Sequence, residues 1–160
     1  MSDKHIVKIT EEAWNKMWQY ILGCDKEIEG LGMAYLPIER DPEASNREIV
    51  VEDVFILKQE VSAASADIDE EYVHTKMYEM TKAKDMRAFN FWWHSHASMA
   101  PFFSSTDEGT INKFGHADWM VHFVGNHAMQ YKCKVTIYKP MKIEIEDCKV
   151  EIFKIGRAHV

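Results

Sequence analysis

The stretch RAFNFWWHSH at positions 87–96 joins an aromatic run to a pair of histidines. Aromatic residues favour strands, and the run predicts a strand from Arg87 to Trp93. Successive side chains of a strand point to opposite faces, so His94 and His96 are expected on the same side. Two imidazoles on one face at a strand end are a natural pair of zinc ligands.

A third ligand is expected from Asp107, eleven residues after His96 and at the start of a predicted short helix. The loop from Ala97 to Phe103 is long enough to fold back and bring that carboxylate near the histidines. Two histidines and one carboxylate leave a fourth position open for water, which distinguishes a catalytic zinc site from a structural one. The sequence therefore predicts a metal site formed by His94, His96 and Asp107.

Each half of this pattern also has a plainer interpretation. Two histidines at a strand end are often only solvated or hydrogen-bonded. The segment from Ser104 to Asp107 has the Ser-x-x-acid spacing of a capping box at a helix N-terminus. The joint pattern His-x-His-x7-Ser-x2-Asp is much rarer than its parts, and it favours the metal site.

The joint pattern resembles the motif of the JAMM (MPN-plus, JAB-domain) zinc metallopeptidases, and the phrase from Trp92 to Ala97 resembles their prokaryotic and phage-associated branch. That motif places a Glu upstream of His-x-His-Pro-x6-Ser-x-x-Asp. The upstream Glu-x-x-Gly-Leu is similar to residues 27–31, EIEGL. The family register selects Glu27 over Glu29, although strand alternation places both on the same side. Ala97 stands where the family commonly has proline, a residue that stiffens the loop but is not a ligand.

The resemblance implies a function and a role for each residue. It implies a Zn²⁺ held by His94, His96 and Asp107, with Glu27 as general base and then general acid, and Ser104 as donor to the oxyanion. The implied activity is deubiquitinase-like hydrolysis of peptide or isopeptide bonds. The implied substrate is a protein or peptide, including the tail of a ubiquitin-like protein. The implied fold is the MPN (cytidine-deaminase-like) fold over residues 1–154.

Two alternatives stay open beside this interpretation. The same zinc site would serve a phage-tail or cell-wall peptide hydrolase, and a non-catalytic MPN scaffold would bind partners without hydrolysis. Other zinc enzymes fit less well, because the chain contains neither HExxH nor Pro-Cys-x-x-Cys.

The remaining histidines and Cys24 are not expected to be ligands or nucleophiles. His74 is assigned to the surface of a predicted helix, His116 and His122 to the flanks of a strand, and His127 to a turn. No histidine suited to act as a base accompanies Cys24 in the sequence, so a cysteine hydrolase is not expected.

Hydrophobic periodicity predicts a single α/β (α+β) domain, a mixed sheet flanked by helices. The first helix is capped by Thr10 and carries an apolar stripe of Trp14, Met17, Trp18, Ile21 and Leu22. A second helix is expected from about Asp69 to Lys84. The other predicted strands are Leu31 to Ile38, Glu48 to Lys58, Trp119 to Val124, Gln130 to Tyr138 and Met141 to Phe153.

Composition limits the partners and the compartment. The 160 residues are 46% hydrophobic with a net charge of −7, which argues against nucleic acid as the main partner. No run of about 18 apolar residues is present, so no membrane span is expected. Three cysteines without CxxC pairing and no signal segment predict free thiols in the cytoplasm.

Residues 155–160, IGRAHV, match the translation of a common sequencing adapter and are expected to be non-native.

Overall fold

The computed structural model of this chain describes residues 6–39, 41–44, 48–56, 59–61, 66–68, 88–113 and 118–154. Two α-helices and a 3₁₀ turn lie in this part of the chain: α1 (Glu11–Gly23), α2 (Ser105–Lys113) and the turn Pro37–Glu39. Its strands are β1 (Ile6–Thr10), β2 (Glu29–Tyr35), β3 (Glu48–Ile56), β4 (Gln59–Val61), β5 (Ala66–Ile68), β6 (Ala88–Ser95), β7 (Trp119–Gly125), β8 (Tyr131–Ile137), β9 (Ile143–Ile145) and β10 (Lys149–Phe153).

Eight of the strands form one mixed sheet in the order β10-β1-β3-β2-β6-β7-β8-β9, while β4 and β5 pair separately. Strand β1 is parallel to both β10 and β3, and β6 is parallel to β7; the other neighbours are antiparallel. The sheet curls into a half-barrel. The predicted mixed sheet with helices is confirmed, and the fold is α+β with sheet predominant.

Helix α1 covers one face of this sheet and supplies much of the core. Its cap is the predicted one, because the Thr10 hydroxyl accepts a hydrogen bond from the Ala13 amide at 3.1 Å. Met17, Trp18 and Ile21 are buried as expected. Leu22 was expected on the same stripe, but its side chain is 47% exposed, so that part of the prediction is wrong.

Among the strands whose ends differ from the prediction, β2 and β6 bear on the site. The strand predicted from residue 31 to 38 begins two residues earlier and ends at Tyr35. Pro37 has no amide hydrogen for a sheet ladder, and the Leu36 amide instead bonds the Glu39 carboxylate at 3.0 Å. Strand β6 runs on to Ser95, so His94 lies inside the strand and His96 directly after it.

The long C-terminal strand predicted from residue 141 to 153 is wrong, because the structure has two strands there. Asp147 adopts a φ of 50°, a left-handed conformation that interrupts an extended chain. Strand β9 therefore stays at one edge of the sheet, and β10 crosses to the opposite edge. Strands β1, β4 and β5 were not predicted at all. The predicted helix from 69 to 84, His74, His116 and residues 155–160 lie outside the described residues.

Candidate metal centre

Strand β6 separates the hydrophobic core from the candidate site by simple alternation. Trp93 faces α1, where Tyr20 stacks on it at 5.7 Å between ring centroids. It lies flat across β2 because position 30 is glycine; a Cβ atom there would collide with the indole ring. The Trp93 indole N–H also donates to the Leu31 carbonyl at 3.1 Å. With Trp93 fixed in this way, His94 must point to the opposite face of the sheet.

The structure brings His94, His96 and Asp107 together into one group that could hold a metal ion. The His94 and His96 Nε2 atoms are 3.3 Å apart, and they lie 3.1 Å and 3.2 Å from Asp107 Oδ2. Three donors at zinc-like bond lengths of about 2.0–2.1 Å in a tetrahedral arrangement would be separated by about 3.3–3.4 Å. The donor triangle therefore has the size that a tetrahedral metal ion requires.

The hydrogen bond on the far side of His96 determines what its Nε2 atom can do. His96 Nδ1 lies 3.1 Å from the Ala100 carbonyl oxygen, which only accepts, so Nδ1 carries the hydrogen. In the neutral ring, Nε2 then carries no hydrogen, and its lone pair faces Asp107 Oδ2 at 3.2 Å. Two acceptors at this distance need a cation between them, either a proton or a metal ion. A backbone carbonyl that orients the second ring nitrogen is typical of metal-bound histidines.

His94 is held in place by ring packing. Its imidazole stacks on Trp92 at 4.5 Å between ring centroids with an interplanar angle of 15°, and the Phe103 ring centroid lies 6.2 Å away. Its Nδ1 atom is buried without a hydrogen-bond partner in the described part of the chain. Burial lowers the pKa of His94, and the bond to Asp107 opposes this only partly. His94 is thus a neutral imidazole, the form that binds metals.

Asp107 and Ser104 form the capping box that the plainer interpretation predicted, and the same carboxylate faces the histidines. The Ser104 amide donates to Asp107 Oδ2 at 2.8 Å, and the Asp107 amide donates to the Ser104 hydroxyl at 3.1 Å. Burial raises the pKa of Asp107, but the bonds to both histidines and to Ser104 outweigh it and hold that pKa well below its usual range. The cap therefore orients an ionised carboxylate toward the imidazoles.

Glu27 lies at the edge of this group, in the loop between α1 and β2. Glu29 pairs with His94, and the Ser95 amide bonds the Ile28 carbonyl at 2.8 Å, so the same register places Glu27 opposite His96. Burial raises the pKa of Glu27; the charge of His96 opposes this shift, and the charge of Asp107 adds to it. A half-buried carboxylate with a raised pKa suits a general base.

Lys134, in strand β8, lies beside the site and was not singled out in the sequence. Its side chain is only 1% exposed, and its ammonium lies 2.6 Å from Glu108 Oε1 and 4.9 Å from the Phe103 ring centroid. Burial lowers the pKa of Lys134, but the bond to Glu108 and the charges of Glu146, Glu108 and Glu144 outweigh it. The sequence offers one sign of this burial, the two glutamates Glu144 in β9 and Glu146 just after it, whose carboxylates lie 3.6 Å and 3.7 Å from the Lys134 ammonium.

Because a proton and a metal ion compete for His96, metal affinity is expected to decrease as the pH is lowered. Burial lowers the pKa of His96, but its hydrogen bonds to Asp107 and the Ala100 carbonyl and the charges of Asp107 and Glu27 raise it overall. A proton on His96 occupies the lone pair that a metal needs, so proton competition begins above the ordinary histidine pKa. Below that point, affinity should fall by about tenfold per pH unit. Competition with a fluorescent chelator from about pH 8 to about pH 5 measures this, and a flat profile would contradict it.

Ala97, which follows the second histidine, has a backbone conformation that proline cannot adopt. Its φ is 54°, whereas proline requires about −65°, and its amide donates to the Ser95 hydroxyl at 2.9 Å. An Ala97→Pro variant is expected to lose about 3 kcal/mol of stability. Ala97→Gly is expected to gain about 1 kcal/mol, because glycine tolerates positive φ. Thermal unfolding of both variants measures these changes. A proline variant as stable as the wild type would contradict the positive φ at Ala97.

Comparison with known proteins supports the fold and leaves the family unassigned. No family model and no curated protein matches the sequence. Among solved structures, 120 chains match. One is the solution structure of protein DSY2949 from Desulfitobacterium hafniense, with 16% identity over 96% of this chain and 97% of that chain and a TM-score of 0.59. At this identity the likeness shows a shared fold alone. None of the described helices is long and apolar enough to cross a membrane.

Proposed function

We propose that this protein is a zinc-dependent metallopeptidase or isopeptidase of the JAMM type, with an MPN fold over residues 1–154. The observation that carries the proposal is the pair of acceptors His96 Nε2 and Asp107 Oδ2, 3.2 Å apart, with a second imidazole nitrogen completing the triangle. Two histidines and one carboxylate are the ligand set of hydrolytic zinc sites. A metal ion there would act as a Lewis acid on the scissile carbonyl and lower the pKa of water toward about 7.

Glu27 is the group that moves protons in this proposal. It takes a proton from the attacking water and later gives it to the departing amine, so the carboxylate is regenerated in each turnover. Its position opposite His96 places it next to the ligand triangle. Its raised pKa brings it closer to the pH at which it works.

Ser104 supplies a hydrogen-bond donor next to Asp107 in this proposal. Its hydroxyl oxygen already accepts from the Asp107 amide at 3.1 Å, which leaves its own hydrogen available. We assign this hydrogen to the oxyanion formed when water adds to the carbonyl. The capping box thereby fixes both a ligand and an oxyanion donor at one helix terminus.

The substrate in this proposal is a protein or peptide, with the tail of a ubiquitin-like protein as the first candidate. The motif resemblance supports this choice, as does the succession of helix, paired strands, motif strand and terminal strands. The three cysteines are free thiols, which is consistent with a cytoplasmic protein.

The proposal is tested by metal content and hydrolysis together. The purified protein is expected to carry about one zinc per chain, measured by elemental analysis. It should cleave ubiquitin joined through its C-terminal carboxyl to a fluorophore, or a fluorogenic peptide amide, lose this activity with a chelator, and regain it with added zinc. A protein that binds no zinc and cleaves neither probe would refute the proposal and favour a non-catalytic scaffold.

A further inference from the structure

The C-terminal end of α1 is capped by a residue from a distant turn. The helix has no basic residue in its last turn, and Cys24 after it turns to an extended conformation with φ −118° and ψ 125°. Its carbonyl, one of the groups that a helix end leaves without a partner, accepts a hydrogen bond from His127 Nε2 at 2.9 Å. His127 lies in the turn between β7 and β8.

The same turn also holds the chain that carries the second histidine of the metal centre. The His127 amide donates to the Ala97 carbonyl at 2.8 Å, and the His96 amide donates to the Gly125 carbonyl at 2.9 Å. The Asn126 side-chain amide donates to the Met99 carbonyl at 3.1 Å. One turn therefore bonds both the loop after β6 and the end of α1.

Glu27 lies between two fixed points on its own segment. On one side Ile28 is bonded to Ser95, and on the other Cys24 is bonded to His127. Only Asp25 and Lys26 lie between Cys24 and Glu27, and three chain steps reach at most about 11 Å, so a movement at Cys24 is transmitted to Glu27 over a short distance.

We propose that His127 is a positioning residue, which fixes the chain leaving α1 so that Glu27 stays beside His96 and Asp107. This inference rests on the proposed function, because it assigns His127 a role in the work of Glu27. A helix cap without that role would affect stability alone. His127 contacts none of the three metal-binding side chains through its ring, so metal binding should survive its loss.

The experiment compares His127→Ala, His127→Gln and Thr10→Ala. Glutamine keeps a side-chain N–H donor. Thr10→Ala removes the cap at the other end of the same helix and so controls for lost helix stability. Each variant is measured for zinc content, for turnover of the ubiquitin–fluorophore probe, and for the rate at which an aromatic disulfide reagent modifies Cys24. Cys133 and Cys148 are buried while Cys24 is partly exposed, so the fast thiol reaction reports on the end of α1.

His127→Ala is expected to keep its zinc, to lose turnover by about ten- to a hundredfold, and to react faster at Cys24. His127→Gln should recover much of both properties, and Thr10→Ala should match the wild type below its unfolding temperature. Wild-type turnover in His127→Ala, or an unchanged rate at Cys24, would overturn the inference. If the wild type cleaves no probe, the proposed function fails, and the Cys24 rates then decide whether His127 holds this segment.

Discussion

A Glu27→Gln variant is expected to keep its zinc and to lose turnover by a factor of about 10²–10⁴. Glutamine has nearly the same size and still forms hydrogen bonds, but its amide cannot accept a proton from water near neutral pH. Glu27 is not one of the three groups whose donor atoms converge, so metal content should not change. Steady-state hydrolysis and elemental analysis of the same preparation measure both properties.

Two further variants make this test specific. Glu43→Gln makes the same chemical change on an exposed loop residue and should behave as the wild type. Glu29→Gln tests which of the two glutamates carries the proton. Glu29 pairs with His94 in the sheet, and Glu27 lies opposite His96. Loss of turnover in Glu29→Gln with full activity in Glu27→Gln would transfer the proton-carrying role to Glu29.

An Asp107→Asn variant is expected to bind zinc at least about a hundredfold more weakly than the wild type. Structural zinc sites with four ligands bind with about 10–16 kcal/mol, so one ligand accounts for about 3 kcal/mol, which corresponds to two orders of magnitude. Asparagine keeps a carbonyl oxygen that can accept from the Ser104 amide, so the helix cap should persist. The unfolding temperature of the metal-free protein should therefore change little. The increase in that temperature on adding zinc should be smaller than in the wild type.

Asp118→Asn is the matched control for that variant. Asp118 is exposed, and its one ion pair is a weak surface pair with Lys139 Nζ at 3.9 Å in the described part of the chain. It should bind zinc as the wild type does. Undiminished zinc affinity in Asp107→Asn would show that the carboxylate does not ligate the metal.

The local pattern around the site was sufficient to predict which residues meet. Alternation along β6 places His94 and His96 on one face of the sheet. The capping-box spacing fixes the orientation of the Asp107 carboxylate, because that carboxylate accepts from the Ser104 amide. These are short-range rules that depend on few neighbours. Glu27 was selected only through the motif, and its position opposite His96 was not predicted, because a sheet register joins residues distant in sequence.

Features that depend on tertiary context were not predictable in the same way. The regular alternation of isoleucine and glutamate at 143–146 gives no sign of the left-handed Asp147 that divides the last strand. Lys134 resembles a solvent-facing residue until three carboxylates from other elements surround it. His127 was assigned to a turn, which is right, but its bond spans 103 positions of sequence.

The parallel pairing of β1 with β10 makes the beginning of the described chain dependent on its end. During synthesis, β1 leaves the ribosome before the other described strands, but the edge that faces β10 in the sheet is unpaired until β10 has emerged. An unpaired strand edge is a template for association with other chains. Until residues 149–153 have been made, the chain therefore exposes an edge to which other chains can add, and a chain shortened before Lys149 would keep that edge exposed.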